Sequence, residues 1–599
     1  MSNPESAYTI EVLEKGSYSK VPGYYVKSTA TINVEDPPEP QQHNDSVDIK
    51  KIAEYLINSD QPELVFHIHG YANSEEDAKN RYNKACKYAN SQDSGLTPDN
   101  RNCVFIGYRW PTESPLVQTG NSLESLPSLI VGILITSLVF SLIAIILTLW
   151  TNTASSFILK SLLIILLASG LGVWITHIAK ATDSLRIIPN GLLLVFFAWL
   201  FGAIFSLFVK NPYPWLIFVI VFFVLLIGII LALIILRVTS YPRDRFRASN
   251  YGVLDLVTFF QDLQNEIEIL DESHDKNREN FRIKVSFIAH SLGCEVATQT
   301  IRILSDVFDP DALIHKPSSK IGNVFRLGRL VLVAPDIPVE SILTSRANFL
   351  KSSLMRCEEA YIFSNEADLA LRLASPAANY FSFPTKTRDR GYKLGNVTVD
   401  KKKSLPKDYG IVNCQNADFT NPTPPSEYLE IRASSNERKS LHCLNNNVLL
   451  HEKAIADSFT YFDCTDYTDC TDTERSKRGI LSFSKKQSAL NFWDYVQLCG
   501  AYFFRFPRYI NVHGGYLEGE FCQLLINELA FLGYKGLLKR YSDSIHQQTG
   551  SNQSDELLLN SKFSKDCKSK YIQVLLATRK TPFAQGESAK GQIQTIRIT

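Results

Sequence analysis

The sequence has almost no net charge and no apolar segment at its start. Its 599 residues include 62 basic and 61 acidic side chains, which gives a formal net charge of +1 and no electrostatic reason to bind nucleic acid. The first twenty residues lack the apolar core of a signal peptide, and the 11 cysteines are scattered. We therefore expect reduced thiols that face the cytosol, and no nucleic-acid partner.

Internal repeats and a glycine-rich nucleotide-binding loop are also missing, so the sequence predicts no cofactor. Four aspartates recur at every third position and alternate with two cysteines. They are Asp463, Asp466, Asp469 and Asp472, with Cys464 and Cys470 between them. Neither calcium loops nor structural zinc sites have this spacing, so a strand end that runs into a solvated turn is the better interpretation, and no metal is expected.

Charged residues are nearly missing from one long region, between Leu126 and Leu236. Four apolar stretches there, at 126–150, 157–178, 187–209 and 214–236, each reach the roughly 20 residues that a membrane-spanning helix needs. Helices of a soluble bundle would carry a polar face. Lys160 is the only formally charged residue within them, which disfavours a transporter or channel. Residues 123–240 are therefore predicted to be a transmembrane insert of four helices.

The predicted insert has more lysine and arginine near one side than near the other. The richer side has Arg109, Lys180, Arg186, Arg237, Arg243, Arg245 and Arg247, and the poorer side has Lys160 and Lys210. Under the positive-inside rule the richer side faces the cytoplasm. The sequence thus predicts a multi-pass membrane protein that has the lipid bilayer as a partner and both termini in the cytoplasm.

A nucleophile elbow is predicted after this region. Residues 282–289 form a short apolar run rich in β-branched side chains, and His290-Ser291-Leu292-Gly293 follows, before a helical pattern from Glu295 to Val307. The serine thus lies between a strand and a helix, with a small residue two positions before it and another two positions after it. This arrangement places the serine hydroxyl on a sharp turn, where it can act as a nucleophile. Ala289 replaces the usual first glycine. The alternative is a structural turn with an inert serine.

Further apolar runs predict a mainly parallel sheet with helices on both faces. They lie at 63–69, 103–110, 329–336, 359–364 and 459–463, and a helical pattern covers 251–270. The first run ends in His69-Gly70-Tyr71, so the backbone N–H groups of Tyr71 and Leu292 are predicted to form an oxyanion hole. For His67 and His69, packing is a better interpretation than metal ligation.

Together these segments resemble a family of α/β-hydrolases of unknown function within the esterase and lipase superfamily. The resemblance rests on His69-Gly70-Tyr71, Asp77-Ala78, Trp110-Pro111, Tyr241, Asp244-Arg245, Ala289 to Gly293, Ala334-Pro335-Asp336 and Ser364 to Leu371. It covers about residues 60–380, and it implies an α/β-hydrolase fold interrupted by the transmembrane insert. The domains are then 1–122 and 241–540 for the hydrolase, 123–240 for the insert, and 541–599 for a polar tail.

The resemblance also implies a serine, acid, histidine order along the chain. Asp368 matches the acid position, and Asp336 is the alternative acid. His513, flanked by small residues, matches the histidine position although it lies far beyond the strand at 459–463, and His442 and His451 remain alternatives. A polar insertion at 384–440 is either a lid or a solvated loop.

The sequence therefore predicts a membrane-anchored serine hydrolase with Ser291, Asp368 and His513 as its triad. We expect it to cleave a carboxylic ester, lipid or otherwise acylated, through an acyl-enzyme. The alternative is a membrane scaffold or signalling protein whose hydrolase domain is inactive.

Overall fold

The computed structural model describes residues 6–13, 21–31, 49–71, 73–91, 103–112, 241–273, 282–305, 320–321, 324–339, 354, 356–374, 393–399, 409–414, 419, 421–432, 438–440, 455–469, 494, 497–498, 510–549 and 556–578. The chain divides into two compact units, one of residues 1–112, 244–495 and 510–599 and the other of 113–243 and 496–509. Nearly all of the second unit lies outside the described residues. The sheets and helices named below belong to the first unit.

The first unit is built on a mainly parallel β-sheet. Along the chain the strands are β1 (Tyr8–Val12), β2 (Gly23–Ser28), β3 (Glu63–Ile68), β4 (Cys103–Arg109), β5 (Ile283–His290), β6 (Lys320–Ile321), β7 (Phe325–Val333), β8 (Glu359–Ser364), β9 (Thr398–Val399), β10 (Gly410–Ile411), β11 (Leu429–Arg432), β12 (Arg438–Ser440), β13 (Phe459–Asp463) and β14 (Gln573–Leu575). The main sheet has the order β1-β2-β4-β3-β5-β7-β8-β13-β14-β10, with β6 beside β7, and β12-β11-β9 form a small second sheet. All neighbours from β2 to β13 are parallel.

Helices cover both faces of the main sheet. They are α1 (Ile49–Ile57), α2 (Glu75–Ala89), α3 (Val253–Ser273), α4 (Gly293–Leu304), α5 (Glu520–Phe531), α6 (Gly533–Thr549) and α7 (Glu556–Ser569). Tyr82 of α2 and Leu525 of α5 share a core with Val65, whereas Phe259 and Phe260 of α3 pack against Phe66, which points to the opposite face. This double cover explains why every residue of β3 and β4 is buried.

The structure corrects the predicted transmembrane insert. In the part of the chain that the structure describes, no helix combines the length and apolarity required to cross a bilayer. The longest helix there, α3, has 21 residues but carries six acidic side chains and packs one apolar side on the sheet. The four predicted spans at 126–150, 157–178, 187–209 and 214–236 lie outside the described residues. The described residues thus form an α/β fold without a membrane insert, and the prediction of a multi-pass protein embedded in a bilayer is wrong.

Two regions predicted as polar surface segments contain regular structure. The region 384–440 holds β9, β11 and β12 of the small sheet, together with β10, which pairs with β14 at the edge of the main sheet. The predicted tail at 541–599 contains the end of α6 and then α7, whereas β14 falls within 571–578, where the sequence also predicts a short terminal strand. Leu559, Phe563 and Cys567 lie at intervals of four along α7 and bury a narrow apolar side.

A buried ion pair joins the amino end of the sheet to α5. Nη1 of Arg329 lies 2.6 Å from Oε1 of Glu63 and donates to the carbonyl oxygens of Ala530 and Phe531. Replacing Arg329 with methionine leaves Glu63 buried without its partner, so we expect the free energy of unfolding to fall by about 3–5 kcal/mol. Urea unfolding followed by tryptophan fluorescence measures this change.

Arg326 of the same strand provides the control. Its side chain is 43% exposed and lies 3.4 Å from Glu358, so Arg326→Met is expected to change the free energy of unfolding by less than about 1 kcal/mol. If the two substitutions lowered the free energy of unfolding equally, the buried Glu63–Arg329 pair would be no more important for stability than the exposed pair.

Candidate active site

Ser291 lies at a strained turn between β5 and α4. Its φ angle is 54°, a left-handed conformation that a residue with a side chain adopts only when its surroundings impose it. The Ser291 N–H donates to the carbonyl oxygen of Val333 at 2.9 Å. Two residues on, a Cβ atom added to Gly293 would lie 2.3 Å from the carbonyl oxygen of His69, so only glycine allows α4 to start this close to β3.

The structure brings together the three residues that were predicted to form the triad. Nε2 of His513 lies 3.0 Å from Oγ of Ser291, and Nδ1 of His513 lies 2.7 Å from Oδ2 of Asp368. Ser291 follows β5 and Asp368 follows β8, so both lie at the carboxyl edge of the parallel sheet. The alternative bases His442 and His451 lie outside the described residues.

The loop that carries His513 is held by two buried side chains. Nδ2 of Asn365, just after β8, donates to the carbonyl oxygen of Val512 at 3.1 Å. Nε2 of His290 lies 3.0 Å from the carbonyl oxygen of His513 and is placed to donate to it. Sequence reasoning gave neither residue a role, although both lie inside quoted motifs, because their partners are separated from them by about 150 residues or more. These contacts fix the backbone of His513 against the sheet.

Asp368 strengthens His513 as a base. Burial by itself lowers the pKa of His513, but the Asp368 carboxylate and its hydrogen bond outweigh burial and hold that pKa above its ordinary value. The carboxyl group of Asp368 is fully buried, and its other oxygen accepts the N–H of Leu371 at 3.1 Å. This second bond fixes the carboxylate, so the imidazole is held in the tautomer whose Nε2 can accept a proton from Ser291.

Asp336, the alternative acid, has another partner. Its Oδ1 lies 2.9 Å from Nζ of Lys393, and both side chains are buried. The Asp336 N–H donates to the carbonyl oxygen of Ser291 at 3.2 Å, so the residue lies beside the nucleophile. Its charge helps to raise the pKa of His513 from a distance. Asp368 therefore fits the acid position better, and Lys393 is a neighbour of the site that sequence reasoning missed.

The surroundings of the predicted oxyanion hole are close-packed. A Cβ atom added to Gly70 would lie 2.7 Å from Cβ of Ser291, so the turn that leads to Tyr71 passes directly beside the nucleophile. Leu292 is the first residue after Ser291, and within the described residues its N–H donates no hydrogen bond. The two backbone donors therefore stay a prediction that this placement supports.

The other candidate residues from the sequence take part in ring stacking, hydrogen bonds or ion pairs. His69 stacks on Trp110 with ring centroids 5.2 Å apart, and burial lowers the pKa of both His67 and His69 to about 3. Among the recurring aspartates, Asp463 accepts from Thr398, Asp466 accepts from the Tyr409 hydroxyl, and Asp469 pairs with Lys570, while Asp472 lies outside the described residues. No group that could hold a metal ion is found among the residues that the structure describes.

The chain matches no protein-family model, and no curated protein or solved structure is significantly similar to it. The resemblance to α/β-hydrolases therefore stays a prediction from motifs. The geometry of Ser291, His513 and Asp368 is the evidence that bears on function.

Proposed function

We propose that the chain is a serine hydrolase that cleaves a carboxylic ester or thioester through an acyl-enzyme. The observation that carries the proposal is the continuous hydrogen-bond chain from the Ser291 hydroxyl through His513 to the buried Asp368 carboxylate. A serine at a strained turn, a base within 3.0 Å and an acid that orients the base are the three parts of nucleophilic acyl transfer.

In the first half of the proposed reaction, His513 takes the proton of Ser291 while Oγ attacks the carbonyl carbon. The oxyanion that forms is stabilised by the N–H groups of Leu292 and Tyr71. His513 then gives the proton to the departing alcohol or thiol, which leaves the acyl group on Ser291. In the second half, His513 deprotonates water, water attacks the acyl-enzyme, and the proton returns to Ser291 as the carboxylic acid departs.

The topology supports an α/β-hydrolase fold as part of the proposal. The serine, acid and histidine follow one another along the chain in the order typical of that fold, and the serine and acid lie after the parallel strands β5 and β8. The alternative, an inactive hydrolase-like scaffold or signalling protein, gives no reason for Asn365 and His290 to hold His513 in hydrogen-bonding position.

The proposal is tested with a fluorophosphonate probe, which reacts covalently with activated serines. We expect the native protein to be labelled on the peptide that contains Ser291, as located by mass spectrometry, and Ser291→Ala to remain unlabelled. Ser286→Ala is the matched control, because Ser286 lies on the same strand but its hydroxyl donates to Glu63, away from the triad. A native protein that is not labelled while a known serine hydrolase reacts would support the inactive alternative.

A further inference from the structure

Asn396 holds both ends of the acid turn, residues 365–368, which carries Asp368. The turn begins at Asn365, directly after β8, and the Asp368 N–H donates to the carbonyl oxygen of Asn365 at 3.1 Å. Nδ2 of Asn396 donates to that carbonyl oxygen and also to the carbonyl oxygen of Asp368, each at 3.2 Å. A primary amide has two N–H groups, so one side chain fixes the first and the last residue of the turn.

The two ends of the acid turn hold His513 from two sides. Nδ2 of Asn365 donates to the carbonyl oxygen of Val512, the residue before the histidine. Oδ2 of Asp368 lies 2.7 Å from Nδ1 of the His513 ring. The first contact fixes the backbone beside the histidine, and the second fixes its ring. A shift at either end of the turn would therefore change the 3.0 Å distance between Nε2 of His513 and Oγ of Ser291.

The segment that carries this amide, residues 393–399, is also held by contacts at both of its ends. At one end, Nζ of Lys393 lies 2.9 Å from the buried carboxylate of Asp336. At the other end, the Thr398 hydroxyl donates to the carboxylate of Asp463 at 2.6 Å. These contacts do not involve the amide. A substitution that removes only the amide should therefore leave the segment in place.

We propose that Asn396 is a positioning residue of the active site, which fixes the acid turn so that the turn holds His513 beside the nucleophile. This rests on the proposed hydrolase function. The alternative is that Asn396 only stabilises the fold locally, since it ends a short 3-10 helix at Leu394–Asn396. A local structural role would change the amount of folded protein, whereas a positioning role changes the reaction rate of each folded molecule.

The test compares native protein with Asn396→Leu, which keeps the branched shape of the side chain but removes both N–H donors. With 4-nitrophenyl hexanoate we expect kcat to fall by about 10- to 100-fold, because a small displacement of a catalytic group greatly lowers its efficiency. His513 acts in both halves of the reaction, so both halves slow together and KM should stay within about threefold of the native value. Expressing kcat per Ser291 labelled to completion by the fluorophosphonate probe corrects for any loss of folded protein.

The pH dependence provides a second measurement, which a loss of folded protein does not change. The Asp368 carboxylate raises the pKa of His513, so a looser acid turn should lower that pKa and move the midpoint of activity to lower pH. The substitution leaves unchanged the other ionisable groups that interact with His513, which are Asp336, Arg81 and His290. Asn396→Gln keeps the amide at a partly exposed position, so it should recover part of kcat and of the midpoint.

Asn413→Leu is the matched control, because Nδ2 of Asn413 also donates to two carbonyl oxygens, those of Thr423 and Leu576, at 2.7 and 2.9 Å. Asn413 follows β10, which lies three strands from β8 at the edge of the sheet. This variant should lose stability but keep the native midpoint and the native kcat per labelled serine.

Three results would overturn the positioning role. They are an unchanged kcat per labelled serine in Asn396→Leu, with or without a higher KM, a lower kcat without a shift of the midpoint, and equal effects in Asn413→Leu. If native protein neither hydrolyses the ester nor is labelled, the proposed hydrolase function itself fails, and the positioning role fails with it.

Discussion

Replacing His513 with alanine is expected to lower the turnover of an activated ester, such as 4-nitrophenyl hexanoate, by on the order of 10⁶-fold. The reason is geometric, because Nε2 of His513 is the base within 3.0 Å of the Ser291 hydroxyl. Without it the hydroxyl keeps its proton and is a poor nucleophile at neutral pH. End-point assays at micromolar protein concentration allow very low hydrolysis rates to be measured, and they give the residual rate of the variant.

His442→Ala and His451→Ala are the matched controls, because these residues are the two other histidines that the sequence offers as bases. The turnover of both variants should stay within about threefold of the native value, which is a far smaller loss than removal of the base would cause. Circular dichroism at the same concentration shows whether His513→Ala remains folded. A large loss in either control, together with a small one in folded His513→Ala, would exclude His513 as the base.

The central sheet could be predicted because its strands are buried on both faces. Continuous apolar runs then appear in the sequence, and the predicted runs at 63–69, 103–110, 359–364 and 459–463 match β3, β4, β8 and β13 within one residue at each end. The structure moves the run at 329–336 to β7 at Phe325–Val333. The strands of a buried sheet can thus be recognised from the local sequence, without knowing which strands pair with one another.

The polar surroundings of the site could not be predicted in the same way. His513 was chosen from its small flanking residues, but what holds it are Asn365 and His290, which are distant in sequence. Lys393 binds Asp336 from within a segment that has no motif. Such contacts depend on the tertiary fold, and a single sequence does not encode them as a local pattern.

Helix α7 shows a second limit of local reasoning. Its composition is rich in serine and lysine, which indicated a polar tail and not a packed helix. The helix buries one narrow apolar side, which is formed by Leu559, Phe563 and Cys567. Tertiary packing of this side supplies helix stability that the composition does not indicate. Average composition therefore obscured a short amphipathic helix.

Replacing Asp368 with asparagine is expected to lower turnover by on the order of 10⁴-fold and to shift its pH dependence. The asparagine amide can hold the imidazole in the wrong tautomer and cannot stabilise the imidazolium. In native protein the pKa of His513 is raised, and only neutral His513 acts as a base, so activity rises as the pH increases through that raised pKa. Without the carboxylate, burial dominates, and the midpoint of the residual activity moves to lower pH.

The double variant Asp336→Asn, Lys393→Met is the control, because it removes the alternative acid and its partner together and leaves no unpaired buried charge. Loss of the Asp336 charge should lower the midpoint slightly, while turnover should fall by no more than about tenfold, since the charge of Asp336 acts on His513 from a distance. Initial rates between pH 5 and pH 10 measure both quantities. If the double variant loses as much turnover as Asp368→Asn, then Asp336 is the acid that orients His513, and the 2.7 Å contact between Asp368 and His513 is not the catalytic one.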